Sequence, residues 1–146
     1  MRVVLQRVEW AHARLGDETV AEIGTGLVLF TGFGRNDGQD DVDRMARKVA
    51  HLRVFEQGQS KVGRSLLDVE GGALLISQFT VYGDTTRGRR PGFSRGAPAD
   101  LARELYGRFA ERLSAEGVVD VQSGPFRSRL TVDVRNWGPF TLQLES

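Results

Sequence analysis

Two stretches of this chain could act on a substrate. The first is Leu74–Asp84, LLISQFTVYGD, an apolar run that ends in Ser77, Gln78, Phe79 and Thr80. Such a run reads as a buried strand, so its hydroxyl and amide side chains collect at a strand end. The second is Asn136-Trp137-Gly138-Pro139-Phe140-Thr141, near the C-terminus. Ser77 and Thr80 offer hydroxyls, but a hydroxyl needs a base to become a useful nucleophile. The two His residues, His12 and His51, fall on an expected first strand and in an expected helix. No spacing assembles them into a Ser-His-Asp triad. The chain has no Cys, which removes thiolate nucleophiles, disulfides and Cys-built zinc sites. No HExxH, Walker-type loop or GxGxxG fingerprint occurs.

Backbone groups remain as reagents. A strand end that turns at Gln78-Phe79-Thr80 can leave N–H groups unpaired and convergent. In a dry site one such donor stabilises an oxyanion by ~3–4 kcal/mol. The same residues also fit a strand that simply finishes and bonds its own turn. Gly138-Pro139 is open in the same way. X-Pro bonds in folded proteins are cis in only ~5–6% of cases, so the pattern alone predicts a trans turn between two strands. A cis bond would instead fix the neighbouring carbonyls in an unusual direction, where they could hold an ammonium group.

Charge supplies further candidates. Arg87, Arg89 and Arg90 lie in Gly83–Gly96, a stretch rich in Gly, Arg and Thr. So long a segment without a clear element is often functional. These arginines suit either a phosphate or plain solvation. Arg7 shares parity with Val3 and Leu5. It therefore points inward and must find acceptors, or else sits solvated on an edge strand. The acidic run Asp37–Asp43 opens an expected helix, where the helix dipole accounts for it without a metal.

The elements that must position these groups follow from periodicity. Strands are expected at 2–15, Thr19–Ile23, Leu27–Phe33, Ala73–Thr80, Val118–Gln122, Leu130–Arg135 and Phe140–Leu144, the last two joined by a turn at Asn136–Pro139. Helices are expected at Gln39–Phe55 and Pro98–Glu116, each with an apolar stripe at helical spacing. The order predicts an α+β fold: a mainly antiparallel sheet or partial β-barrel with two packed helices, in a single domain spanning 1–146. The composition is 40% hydrophobic and 27% charged, which fits one globular core. No apolar run approaches the ~20 residues that span a bilayer, and the N-terminus reads as a strand rather than a signal peptide. A cytoplasmic protein is expected. The net charge of +1 argues against coating nucleic acid in bulk but allows a local phosphate contact.

Taken together, MRVVLQRV, EIGTGLVLFTGFG, KVAHLRVF, SLLDVEGGALLISQFTVYGD, GRRPGF and NWGPFT resemble the D-aminoacyl-tRNA deacylase family from end to end. Both signatures match: SQxT, and NxGP followed by a hydrophobic residue and Thr. The resemblance implies a cytoplasmic homodimer without metal or cofactor. It would hydrolyse the ester between a D-amino acid, or glycine, and the terminal ribose of tRNA. It further implies that Ser77, Gln78 and Phe79 hold the terminal adenosine and the reacting carbonyl, and that the amides of Gln78 to Thr80 form an oxyanion pocket. Asn136, Gly138, Pro139 and Thr141 would form the substrate-binding motif. Its Gly-Pro bond would be cis, and each subunit would insert it into its partner's site. Arg7 would brace it, and an L-side chain would clash with it. Thr80 could attack, but the preferred expectation is a water assisted by the ribose 2′-hydroxyl.

Several positions depart from the family pattern. Trp137 stands where Asp is common, and Arg127 follows Gly124-Pro125-Phe126 where Gly or Ala is more frequent. Leu130 replaces a frequent Met, and Lys61-Val62-Gly63 replaces Lys-Met-Asn. An animal-type relative that edits L-alanine with a trans Gly-Pro fits less well, because this chain keeps Ser77 and Phe79. Two other readings compete: a non-catalytic tRNA-binding module using the arginine loop, and a small-molecule esterase using Thr80 or Ser77.

Overall fold

The computed structural model describes residues 1–146. Eight strands and two helices follow in order: β1 (Arg2–Leu15), β2 (Glu18–Ile23), β3 (Gly26–Gly32), α1 (Gln39–His51), β4 (Phe55–Gln57), β5 (Ser60–Arg64), β6 (Gly72–Ser77), α2 (Ala99–Ala115), β7 (Asp120–Ser123) and β8 (Thr131–Glu145). A short 3-10 turn, Phe79–Tyr82, follows β6. The main sheet runs β2-β1-β3-β6-β7, with β8 on the free edge of β1. All pairings of β1 are antiparallel, whereas β6 lies parallel to both β3 and β7. The fold is thus the expected α+β arrangement, nearly barrel-shaped, with a parallel segment added by the α1 and α2 crossovers.

Strand β1 organises the rest because it is long enough to pair three times. Its first half pairs with β3, its second with β2, and almost its whole length with β8. The pairing with β8 slips between Gln6 and Val8 and again between Val8 and Trp10. A slip of one residue moves side chains to the opposite face. Accordingly Val3 and Leu5 enter the core under the helices, while Val8, Ala11 and Ala13 enter a second cluster on the other face.

Both helices cover one face of the sheet. Val42, Met45, Ala46 and Val49 of α1 meet Leu105, Phe109 and Leu113 of α2 and Leu5, Leu27, Leu29 and Leu75 of the sheet, all fully buried or nearly so. The acidic run is used structurally. Asp41 accepts the Gly38 N–H at 2.9 Å, which holds its carboxyl below the ordinary range. Asp43 takes a two-pronged bond from Arg108 of α2, at 2.8 and 2.7 Å. Asp37 accepts from Gly34 N–H, from the Tyr82 hydroxyl and from the Met1 amino group.

Three sequence expectations need correction. Helix α1 ends at His51, not Phe55, because Leu52 turns extended (ψ 125°) and Phe55 begins the β4–β5 hairpin. Apolar residues three apart cannot distinguish one more helical turn from an exit into a strand. Strand β6 ends at Ser77, not Thr80: the chain turns into the 3-10 segment after Gln78 makes a last bond to Thr31 O. At the C-terminus one strand, β8, replaces two strands and a turn. Strand β1 offers a continuous edge on both sides of Asn136–Pro139, so pairing resumes in the same direction beyond it.

Candidate active site

The parallel strands β3 and β6 end side by side, with Thr31 opposite Ser77. Carboxyl ends of parallel strands are where open α/β sheets place ligands. A cavity of about 160 Å³ lies there, walled by Gly32, Phe33, Ser77, Phe79, Phe93 and Phe126, with Arg127 at its lining. It is smaller than the ~300–1,000 Å³ of sites for drug-sized ligands, so it suits one flat ring rather than a whole nucleotide. Phe79 and Phe93 pack edge to face, centroids 5.1 Å apart. Phe126 is held by Tyr106, centroids 5.6 Å apart, with the Arg103 guanidinium 4.9 Å from its ring. The Tyr106 hydroxyl sits between the carbonyls of Leu75 (2.8 Å) and Gly124 (2.9 Å) and can donate to either. Burial pushes its pKa up, so it stays a neutral donor.

The backbone beyond Ser77 divides into used and free donors. The Gln78 N–H donates to Thr31 O at 2.7 Å. It is therefore spent on the sheet and is not one of three convergent donors, as the sequence suggested. The amides of Phe79 and Thr80 open the 3-10 turn, where first-turn N–H groups have no internal partner, and no backbone or side-chain acceptor takes them. The Gln78 side-chain amide bonds the Thr80 hydroxyl. No His or carboxylate bonds to Thr80: His12 faces Glu22 and His51 faces Glu116. The 3-10 turn is anchored from below by Tyr82, which is buried and donates to Asp37 at 3.2 Å.

The second stretch forms an expanded bulge. Gln6 pairs with Thr141 and Val8 with Asn136, so Trp137 to Phe140 all face the single residue Arg7. Asn136 Oδ1 closes the bulge by accepting the Phe140 N–H at 2.9 Å, and Gln6 Nε2 donates to Thr141 Oγ1 at 3.3 Å. The Gly138-Pro139 bond is cis. Arg7 is only 3% exposed. It donates to Trp137 O (3.0 Å), Val54 O (2.6 Å) and Lys61 O (3.2 Å), and lies 4.7 Å from the Trp137 ring and 4.9 Å from that of Phe140. Gly138 and Pro139 themselves are exposed.

One chain does not bring the two stretches together. On the β1–β3 ladder the bulge lies opposite Arg7 and Leu27, and the cavity opposite Val3 and Thr31. Four residues along a strand separate them by ~13 Å. The arginine loop is closer to the cavity. Asp84 and Gly92 exchange a pair of backbone bonds that close it, and Phe93 at its base lines the cavity. Arg87, Arg89 and Arg90 sit exposed at its tip.

Sequence reasoning missed Gly32, Phe33, Phe93 and Phe126 as walls. Phe93 lay in the GRRPGF match, and Phe126 beside a noted departure. Their convergence comes from strand register, which no local pattern carries.

A family model described as D-Tyr-tRNA(Tyr) deacylase matches residues 4–145. Proteins named D-aminoacyl-tRNA deacylase from Chlorobaculum tepidum and Desulforudis audaxviator are 45% and 48% identical, each over the whole chain and 97% of the relative. A solved structure titled c-Myc DNA Unwinding Element Binding Protein superposes with a TM-score of 0.93 at 33% identity, covering 100% of this chain and 99% of the other. A probable eukaryotic D-amino acid tRNA deacylase shares the fold, with a TM-score of 0.86 at 20% identity over 98% and 97% of the two chains. The chain belongs to the D-Tyr-tRNA(Tyr) deacylase family, a family of hydrolases.

Proposed function

We propose that this protein hydrolyses the ester of D-aminoacyl-tRNA, and of glycyl-tRNA, in the cytoplasm and as a homodimer. The observation that carries the reading is the pair of free amides, Phe79 and Thr80, beside an aromatic-walled cavity of single-ring size in a chain of this family. The cavity takes the terminal adenine, with Ser77, Gln78 and Phe79 at the ribose and carbonyl. Water adds to the ester carbonyl carbon, and charge developing on its oxygen meets the two amides. The tetrahedral intermediate expels the ribose 3′-oxygen, which takes up a proton, leaving free amino acid and tRNA. The neighbouring 2′-hydroxyl assists the water. We assign no nucleophilic role to Thr80; in support of this, its oxygen accepts a bond from the Gln78 side chain and no base adjoins it.

Chirality is read by a second copy. Its Asn136–Thr141 bulge enters the site, the Gly138 and Pro139 carbonyls accept the substrate α-ammonium, and an L-side chain meets their backbone. This explains why the bulge is exposed and ~13 Å from its own cavity. Discrimination by exclusion tolerates many D-side chains and admits glycine. Arg7 holds the bulge from within, and Arg87, Arg89 and Arg90 grip the acceptor-end phosphates.

The test is paired hydrolysis of D-tyrosyl-tRNA and L-tyrosyl-tRNA by wild type and Thr80→Ala, with sedimentation to establish the dimer. Loss of the D-ester alone, with Thr80→Ala within about tenfold of wild type, is expected. A folded dimer that retains tRNA but spares both esters would instead mark a tRNA-binding module. Turnover of simple activated esters with covalent labelling of Thr80 would mark a small-molecule esterase.

A further inference from the structure

We infer that Arg127 is a substrate-contacting residue, binding the phosphodiester that joins the terminal nucleotide to the rest of the acceptor strand. The inference rests on the function proposed above. Arg127 is the one charged residue on the cavity lining. Its guanidinium lies 5.7 Å from the ring of Phe79, which lines the cavity and whose own amide is one of the two free donors. The side chain is exposed and has neither a carboxylate partner nor a hydrogen bond. Arg103, by contrast, is spent against the Phe126 ring from outside the cavity.

The backbone points the same way. Arg127 holds φ +56°, the left-handed region that glycine occupies freely and long side chains disfavour. A turn needing only its geometry would be better served by Gly, which adopts this region without strain. Here the chain keeps a cation against its backbone preference, at the mouth of a cavity with no other charge. A base filling that cavity turns its ribose toward Phe79 and the free amides. Its 5′-phosphate then leaves through the rim where Arg127 stands. A planar guanidinium with five donors matches a phosphate's oxygens better than any neutral wall residue could.

The experiment compares three substrates: D-tyrosyl-tRNA, the 3′-D-tyrosyl ester of adenosine 5′-monophosphate, and the same ester of adenosine. The variants are Arg127→Gly, which removes the cation and relaxes the backbone, and Arg127→Lys, which keeps a point charge. Wild type should show a KM about tenfold lower for the phosphate-bearing ester than for the adenosine ester, the effect of one charged hydrogen-bonded contact. Arg127→Gly should bring the two together by raising only the former, while its melting temperature holds or rises. Arg127→Lys should recover part of the difference, and added salt should erode it in wild type but not in Arg127→Gly. Equal effects on both esters would show Arg127 acting only through Phe79 and would overturn the inference, as would no effect on either. Wild type inactive on D-tyrosyl-tRNA would overturn the proposed function together with it.

Discussion

Replacing Arg7 by Met should loosen the bulge and weaken the fold by an amount that can be worked from its contacts. Met keeps the length and most of the packing between the Trp137 and Phe140 rings, so sulfur–aromatic contacts of ~0.3–1.5 kcal/mol replace cation–π contacts of similar size. What disappears is three hydrogen bonds from a charged donor, to the carbonyls of Trp137, Val54 and Lys61. At ~1.5 kcal/mol each these amount to ~4.5 kcal/mol. Relief from burying a guanidinium at 3% exposure offsets part of this, leaving a loss of about 3 kcal/mol. With a urea slope near 2 kcal/mol/M, the unfolding midpoint should fall by about 1.5 M. The same variant should lose preference for D- over L-tyrosyl-tRNA, because Trp137 O adjoins the Gly138-Pro139 segment. Arg7→Lys, which can reach the carbonyls only singly, should fall between. A midpoint within about 0.3 M of wild type would refute the claim that these carbonyls depend on Arg7. A lowered midpoint with an intact D/L ratio would refute its role in orienting the bulge.

Two further outcomes follow from the backbone and from charge. At Gly26 a Cβ would fall 2.0 Å from Gly72 O, backbone against backbone, where β3 meets β6. Gly26→Ala should therefore cost about 3 kcal/mol or more in urea unfolding. Gly16→Ala, at φ +63° with open space around it, should cost only the ~1–2 kcal/mol of a left-handed residue. Equal losses would contradict the register described. For acid stability, the Arg108 hydrogen bond leads the effects that hold the Asp43 carboxyl below its ordinary 3.8. A folded-state value below the unfolded one stabilises above about pH 4, and that contribution fades as pH falls through the folded value. Asp43→Asn should thus lower the melting temperature at pH 7 and flatten its fall below about pH 4. A variant as acid-sensitive as wild type would show that the link between α1 and α2 contributes nothing to it.

Much of this protein was legible in the order of its residues. Alternation over 2–15 and helical spacing in 39–51 and 99–115 mark elements whose existence depends on local periodicity. The shared parity of Arg7 with Val3 and Leu5 was legible too, but it left both an inward and a solvated edge position open, and the burial of Arg7 decides for the inward one. SQFT and NWGPFT stood out as motifs, and the family they suggested is the one the chain belongs to.

What the sequence could not carry was pairing. Asn136–Pro139 reads as a turn in isolation and becomes a bulge only because β1 is long enough to pair on both sides of it. The Gln78 amide looks free until Thr31 O is placed beside it by the parallel register of β3 and β6. The cavity is built from Phe33, Phe79, Phe93 and Phe126, four aromatics from separate parts of the chain. Periodicity within a segment reports which face of that segment is apolar. Which segments lie side by side, and at what offset, is settled by long-range hydrogen bonding and close packing, and it is this offset that leaves two amides free and one cation at the rim.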